Sequence, residues 1–427
     1  MANTYNKSNK KTVKNYKTID IDYSLRPKYY DDFKCTAQNC KFTCCTGWRI
    51  TMNRKDYLTM KDQHGSEQLN QQIKQGLHKI KNGQGENLYA EILCNKNNHC
   101  PLFTEDGLCR LQMECGYEIL PTICKTFPRN KSYEYSGYEE HDLNISCEAV
   151  LELLWNLPEG VDFVLGELPK HRQKVIELAP SSPYLYFQEI RSLCIDLLQD
   201  RRFSMGQRIL LMGIFLQKLP LDAVGAEKWC IETKAIIESQ DIVEISANLM
   251  QTTDETVKKY LLQNLQTFLH PNMISQNEVL QAYQKKILDK LLVNIQKSEQ
   301  GYTTICGNTA LYKKYKENFY KNFGDTEYFF ENIMVAVFFS CKFPDLSSKE
   351  NLWKGYVSFC NIYSLIRFVS IISCEEDVSN PKDMLFEAIL FIARTVLHDK
   401  NTTKELNDLF FKNESSSLAY MMILLSE

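Results

Sequence analysis

The sequence predicts a mostly α-helical protein, in which a small cysteine-rich, metal-binding N-terminal domain is followed by a larger helical domain. Three observations support this fold class. Ten of the 16 cysteines fall in the first 147 residues, apolar residues recur at helical spacing after residue 156, and few segments alternate with the period of a strand. The 427 residues allow two or three domains and a substantial hydrophobic core.

Composition and charge exclude several classes of protein. Hydrophobic residues make up 44% of the chain and charged residues 24%, which is ordinary globular usage and excludes a largely disordered chain. The net charge of −3 creates no basic field, so neither nucleic acid nor an anionic membrane is expected as a partner. The most apolar stretch, residues 357–374, is interrupted by Asn361 and Arg367, which favours a buried helix over membrane insertion.

The N-terminal part divides into a tail and a cysteine-rich domain. Residues 1–24 are predicted to be a flexible basic tail, because the first 17 residues contain five lysines, no acidic residue and no apolar signal segment. We therefore expect a cytoplasmic protein, in which clustered cysteines favour metal binding or catalysis over disulfides. Residues 25–155 combine cysteines with many turn residues and weak periodicity, which is typical of a backbone held by metal ligands.

Residues 156–427 are predicted to form the helical domain, and several helix start signals occur there. Ser182 before Pro183 has the pattern of an N-cap followed by proline in the first turn. Two serines have a glutamine or glutamate three positions later, as in a capping box: Ser204 with Gln207 and Ser275 with Glu278. Apolar residues recur at helical spacing in seven stretches, which are residues 190–197, 209–216, 257–268, 283–295, 327–341, 352–374 and 383–398.

The cysteines of residues 25–155 form two clusters. The first has the spacing C-x4-C-x3-C-C-x-G-W, and the second is spread over residues 100–147. Several thiolates on short, turn-rich segments can converge on a zinc ion or an iron–sulfur cluster. Adjacent side chains usually diverge, so Cys44 and Cys45 leave both one and two metal centres open. The predicted metal ligands are Cys35, Cys40, Cys44, Cys45, Cys100, Cys109, Cys124 and Cys147.

Two other cysteines of this region, Cys94 and Cys115, lie outside the pattern and are interpreted as ordinary thiols.

Three blocks of this region resemble the flagellin lysine-N-methylase family and the wider group of CxxCxxCC-type zinc- or iron-chelating domains. The blocks are residues 27–48, 100–129 and 142–147, and they occur in the same order as in the family. After residue 155 the likeness is limited to length and general character. The family motif falls on the eight predicted ligands and on Gly47, Trp48, Pro101, Gln112, Phe127, Pro128 and Arg129.

The resemblance implies an enzyme that transfers methyl groups from S-adenosylmethionine to lysine ε-amines of flagellin, the protein substrate of the bacterial flagellum. It also implies an iron–sulfur cluster, expected as 4Fe-4S, with zinc as the alternative metal. A monomer is favoured, although the oligomeric state is open. The alternative function is a metal-stabilised helical interaction or assembly protein without catalysis.

The way in which such an enzyme would hold its methyl donor is unusual. An ordinary methyltransferase binds it at a glycine-rich turn after a strand, but residues 83–85 (GQG) follow no convincing strand. An open iron of a cluster held by three cysteines is one alternative anchor. The predicted cofactor-binding residues are Trp48, against the sulfonium, and Arg129, on the carboxylate. A core aromatic and a surface ion pair are the alternative interpretations of these two residues.

Overall fold

The molecule is mostly α-helical, as the sequence predicts. Short helices and strands occupy the N-terminal part, and long helices dominate from residue 187 onward. A computed structural model describes residues 16–46, 50–62, 65–81, 87–96, 99–132, 137–249, 309–374, 380–397 and 416–426, with isolated positions between 283 and 302 and at 408 and 411.

Three small sheets or ribbons organise the N-terminal part. The strands are β1 (Lys17–Ile21), β2 (Tyr23–Pro27), β3 (Ile50–Met52), β4 (Leu77–Lys79), β5 (Ala90–Ile92), β6 (Arg129–Ser132), β7 (Glu139–Leu143), β8 (Phe163–Glu167) and β9 (Lys174–Leu178). The ribbon pairs β1 with β9, the larger sheet has the order β6-β7-β2-β8, and the smaller sheet has the order β3-β5-β4. Only β2 and β7 run parallel among these pairs.

Strand β1 corrects the expectation of a flexible tail over the whole of residues 1–24. Its residues pair antiparallel with β9, from Lys17 opposite Leu178 to Ile21 opposite Lys174. The reason is burial, since Ile21 is fully buried. Residues 1–15 of the predicted tail lie outside the described part of the chain.

The helices of the N-terminal part are short and those of the C-terminal part are long. The first group is α1 (Arg54–Lys61), α2 (Glu67–Gly76), α3 (Arg110–Cys115), α4 (Thr122–Thr126) and α5 (Glu148–Trp155). The second group is α6 (Phe187–Leu198), α7 (Met205–Lys218), α8 (Ala223–Glu238), α9 (Asp241–Leu249), α10 (Thr309–Phe323), α11 (Glu327–Ser340), α12 (Lys349–Ser373), α13 (Pro381–Ile392) and α14 (Leu418–Leu425).

The helix start signals are confirmed wherever the structure describes them. Ser204 and Gln207 form the full capping box of α7, because each side chain accepts the other residue's backbone N–H. Ser182 caps a short 3-10 turn, residues 183–186, that leads into α6. The predicted pair Ser275 and Glu278, the stretch 257–268 and most of the stretch 283–295 lie outside the described residues.

Helix α12 contains the apolar stretch that the sequence analysis assigns to a buried helix. It is long and apolar enough to cross a membrane by length and composition, but 89% of its apolar window is buried inside the protein. Asn361 and Arg367, the polar residues within it, are 0% and 5% exposed. This is the burial pattern of a core helix, as predicted.

Two hydrophobic cores meet at the cysteine-rich segment. The larger core combines helices α6–α14 with α5 and with residues such as Phe33 and Leu143 from the N-terminal part. The smaller core is built from residues between Ile50 and Leu120. Phe42 packs against the larger core and Cys45 against the smaller one, so the chain passes from one core to the other within the first cysteine cluster. The domain division at residues 24 and 155 stays a prediction.

Candidate functional site

Backbone contacts bring cysteines of the two sequence clusters together on the smaller core. The N–H of Cys100 donates to the carbonyl of Cys45 at 2.8 Å, and Thr46 and His99 continue this contact as a β-bridge. Cys109 forms a bridge with Phe103, three residues after Cys100. Cys100 is buried in the smaller core, and Cys45 and Cys109 pack against it. Three predicted ligands from two separate blocks therefore share one environment.

Cys124 joins this group through the short helix α4. Asp56 caps that helix, because its carboxylate accepts hydrogen bonds from the N–H and the hydroxyl of Thr122 at 3.0 and 3.1 Å. Cys124 is exposed as a residue, yet desolvation of its sulfur, followed by the neighbouring thiols of Cys100, Cys44 and Cys109, raises the pKa of its thiol. The thiols that act on Cys124 thus belong to the converging group.

The adjacent residues Cys44 and Cys45 lie in a turn that lets their thiols interact. Within this turn, the N–H of Cys45 donates to Thr43 Oγ1 at 3.1 Å, and Thr46 Oγ1 donates to the Thr43 carbonyl at 3.1 Å. The hydrogen bond between the two thiols lowers the pKa of Cys44 to about 7, and it raises the pKa of Cys45. Of these two thiols, Cys44 therefore ionises more readily, and Cys45 is its hydrogen-bond donor.

Cys40 and Cys147 lie beside Glu148, the first residue of α5. Glu148 Oε2 accepts hydrogen bonds from the backbone N–H groups of Lys41 and Phe42 at 2.8 and 3.1 Å, and it lies 3.4 Å from Cys40 Sγ. Burial, and then the charge of Glu148, raises the pKa of Cys40 to about 12. Burial likewise raises the pKa of Cys147 to about 11, with a further contribution from Cys44 and Cys35.

Two charged residues of this site were missed from the sequence. Glu148 follows Cys147 directly, which was a signal that a carboxylate lies beside a predicted ligand. Arg394 is the only basic residue between positions 383 and 397, and an isolated charge in such an apolar stretch needs a buried partner. The structure supplies those partners, because Arg394 donates to the carbonyls of Ser146 and Phe42.

The donor chemistry of the site fits a thiolate-bound metal. Soft sulfur ligands suit zinc and iron–sulfur clusters, and no disulfide joins the described cysteines. Among the described residues, however, no three Cys, His, Asp or Glu side chains are grouped closely enough to hold a metal ion as they stand. The thiols therefore lie in one region without forming a complete metal site. The sulfur atoms would have to move closer together to bind a metal.

Cys94 lies near the converging thiols, although its spacing placed it outside the pattern. After burial and the influence of Cys109, Cys94 contributes to raising the pKa of Cys100 to about 12. Cys115 ends helix α3 and is half-buried against the smaller core. The interpretation of both residues as ordinary thiols stays a prediction.

The two predicted cofactor-binding residues differ in what the structure describes. Trp48 lies outside the described residues, as do residues 83–85. Arg129 begins β6, and its guanidinium donates to the Phe33 carbonyl at 3.3 Å. It also packs over the rings of Phe33 and Tyr30, at 4.7 and 5.8 Å. Arg129 therefore holds the segment that ends two residues before Cys35, and its role toward a carboxylate stays a prediction.

Known proteins match both parts of the chain. A family model described as the FliB lysine N-methylase C-terminal domain matches residues 191–424. The lysine-N-methylase of Salmonella typhimurium is 21% identical over 361 residues, which cover 82% of this chain and 86% of that protein. The flagellar biosynthetic protein FliU of Salmonella muenchen is 31% identical over 157 residues, which cover 33% of this chain and 80% of that protein. No solved structure matches the chain significantly.

The family model matches the helical part of the chain, whereas the cysteine blocks lie in the N-terminal part. The cysteine blocks predicted specific likeness to the family only up to about residue 150 and general likeness thereafter. The matched residues 191–424 include helices α7–α13 and most of α6 and α14. The helical part therefore carries family-specific sequence of its own.

Proposed function

Because the chain belongs to the flagellin lysine-N-methylase family, we propose that it methylates lysine side chains of flagellin with S-adenosylmethionine as the methyl donor. Lysine methylation is the activity for which the family model and the Salmonella typhimurium relative are named. The name of the FliU relative connects the family with the flagellum. The donor and the substrate are our proposal.

The convergence of the thiols is the observation that carries the proposal for the site. We propose that these cysteines hold an iron–sulfur cluster, with zinc as the alternative. Cys44 and Cys45 share one turn, and Cys100 is hydrogen-bonded to that turn through its backbone. The residues that would hold the metal are the predicted ones, namely Cys35, Cys40, Cys44, Cys45, Cys100, Cys109, Cys124 and Cys147.

Methyl transfer to a lysine requires that the amine loses a proton and that it is placed correctly. A lysine ε-amine has an ordinary pKa of about 10.4, so it must lose a proton before its lone pair can attack a methyl group. The amine must also lie in line with the carbon–sulfur bond that breaks. When bound, S-adenosylmethionine supplies the methyl group on a positively charged sulfonium. A cluster with an open iron site would supply an anchor for its amino and carboxylate groups.

The chain's own residues would orient the donor. Arg129 lies next to the segment that carries Cys35, and one of its N–H groups is used by the Phe33 carbonyl. We propose that the guanidinium also binds the carboxylate of the methyl donor. Trp48, four residues after Cys44, is proposed to lie against the sulfonium as a cation–π partner.

We also propose where the enzyme is located, its oligomeric state and its partner. We propose a cytoplasmic location, because thiols that are to bind a metal must stay reduced. We also propose that the enzyme is a monomer that meets flagellin as a protein substrate, with neither nucleic acid nor membrane insertion involved.

The test combines metal analysis with a methylation assay. Protein purified without oxygen is assayed for iron, sulfide and zinc, and is then incubated with S-adenosylmethionine and unmodified flagellin. Intact-mass spectrometry should show mass increments of methyl groups on flagellin. Chelator-treated protein is the matched control and should leave flagellin unmodified. If the metal-loaded protein also leaves flagellin unmodified, the alternative of a metal-stabilised interaction or assembly protein replaces the proposal.

A further inference from the structure

Arg394 connects the helical part of the chain to the thiol site. It lies in a turn of π-helix, residues 393–397, directly after α13, and it is only 8% exposed. Single π-turns inside helices occur frequently at functional sites. A buried guanidinium also needs hydrogen-bond partners for its N–H groups, because an unpaired buried charge destabilises the folded protein.

The partners of Arg394 are main-chain carbonyls from two separate N-terminal segments. Its Nε donates to the Ser146 carbonyl at 3.1 Å, and its Nη2 donates to the Phe42 carbonyl. The guanidinium also lies 6.0 Å from the centre of the Phe42 ring. Ser146 precedes Cys147, and Phe42 lies two residues before Cys44. One side chain therefore fixes the backbone next to two predicted ligands.

Arg394 also faces the acidic groups of the site. Burial lowers its pKa, while the nearby Cys40, Cys44, Cys147 and Glu148 oppose that shift. An arginine stays protonated under these conditions, so the site always contains this positive charge. Thiolates around a zinc ion or an iron–sulfur cluster leave a net negative charge, and a fixed neighbouring cation stabilises that charge.

We propose that Arg394 is a positioning residue of the thiol site, which holds the backbone beside Cys44 and Cys147 and balances the charge of their thiolates when a metal is bound. The inference rests on the metal centre proposed above but not on methyl transfer. It means that both parts of the chain complete the centre. The N-terminal blocks supply the sulfur atoms, and the region matched by the family model supplies the counter-charge.

The experiment measures how firmly metal is held by two variants of the full-length protein. Arg394→Gln removes the charge and keeps a hydrogen-bond donor, whereas Arg394→Lys keeps the charge and loses the planar fork. Arg367→Gln is the matched control, since Arg367 is also buried (5% exposed) in the helical part but pairs with Glu327 at 2.8 Å and Tyr320 at 3.1 Å. Thermal unfolding of each variant separates general destabilisation from a local effect.

Metal per chain and the rate of metal loss to excess chelator are the two readouts. We expect Arg394→Gln to lose metal on the order of tenfold faster than the natural protein, as for one lost charge-assisted contact, and Arg394→Lys to be intermediate. Arg367→Gln should retain metal normally even where its unfolding temperature falls. The proposal is overturned if Arg394→Gln retains metal normally, if both glutamine variants lose metal in proportion to their lost stability, or if the natural protein binds no metal. Methylation of flagellin, measured in parallel, decides the proposed function separately.

Discussion

The carboxylate of Glu148 accepts a hydrogen bond from the backbone N–H of Phe42 at 3.1 Å, although the two residues are 106 positions apart. The carbonyl of the same Phe42 accepts a hydrogen bond from Arg394. The N–H of Phe42 is thus bound by the Glu148 carboxylate, and its carbonyl is bound by the Arg394 guanidinium. Charged side chains from α5 and from the π-turn after α13 therefore fix the segment between Cys40 and Cys44.

This arrangement predicts a large effect of Glu148→Ala on stability. Removal of the carboxylate leaves the partly buried N–H of Phe42 without its acceptor, whereas the exposed N–H of Lys41 can bind water. The loss at Phe42 should cost about 1–3 kcal/mol in the free energy of unfolding. Urea denaturation of the two proteins measures the difference. Glu152→Ala, one turn later in α5, is the control, because its ion pair with Lys382 is partly exposed and should contribute less than about 1 kcal/mol. Equal losses in both variants would contradict the assigned role of Glu148.

The pKa values predict which cysteine reacts first in metal-free protein. Cys44 has a pKa of about 7, whereas the pKa of Cys40 is about 12. Because the thiolate is the nucleophile, brief treatment with iodoacetamide at neutral pH should label Cys44 far ahead of Cys40. Labelling of Cys44 should increase as the pH rises through 7. Peptide mass spectrometry at several pH values measures this, and Cys45→Ala, which removes the donor, should shift the increase to higher pH.

Metal content should distinguish the cysteines predicted as metal ligands from the other cysteines of the chain. Cys44→Ser, Cys109→Ser and Cys124→Ser each remove one thiolate from the converging group and should lower the metal bound per chain. Cys194→Ser is the control, because Cys194 is buried in α6 among helices of the larger core. That change should lower stability slightly and leave metal content unchanged. Loss of metal in the Cys194 variant together with retention in the Cys124 variant would refute the ligand assignment.

A buried ion pair should dominate the stability of the helical part. Glu331, only 2% exposed, accepts hydrogen bonds from Arg208 at 2.6 Å and from Arg201 at 2.9 Å. Glu331→Gln leaves the Arg208 guanidinium without its counter-charge and should cost about 3–5 kcal/mol. Urea denaturation tests this, with Glu350→Gln at an exposed helical ion pair as the control. A similar stability for both variants would show that the buried pair contributes little.

The local features of the fold could be predicted because they depend on neighbours in the sequence. The capping box of Ser204 and Gln207 joins residues three positions apart, and its hydrogen bonds form as the sequence predicts. The apolar stretches at 327–341 and 352–374 likewise correspond to helices α11 and α12. Strand β1 was not predicted, because its partner β9 lies more than 150 residues away and its pairing leaves no local pattern.

The sequence by itself determined the helical class, the helix starts and the set of cysteines with a ligand-like pattern, since each depends on residue type and short spacing. Only the tertiary structure decided that Cys45 and Cys100 are joined through their backbones and that the thiols of Cys44 and Cys45 interact. It alone placed Arg394 beside Phe42, 352 positions away. The physical reason is that a buried charge takes whichever carbonyls and thiols the packed cores bring to it, and the packing of two cores is a property of the whole chain.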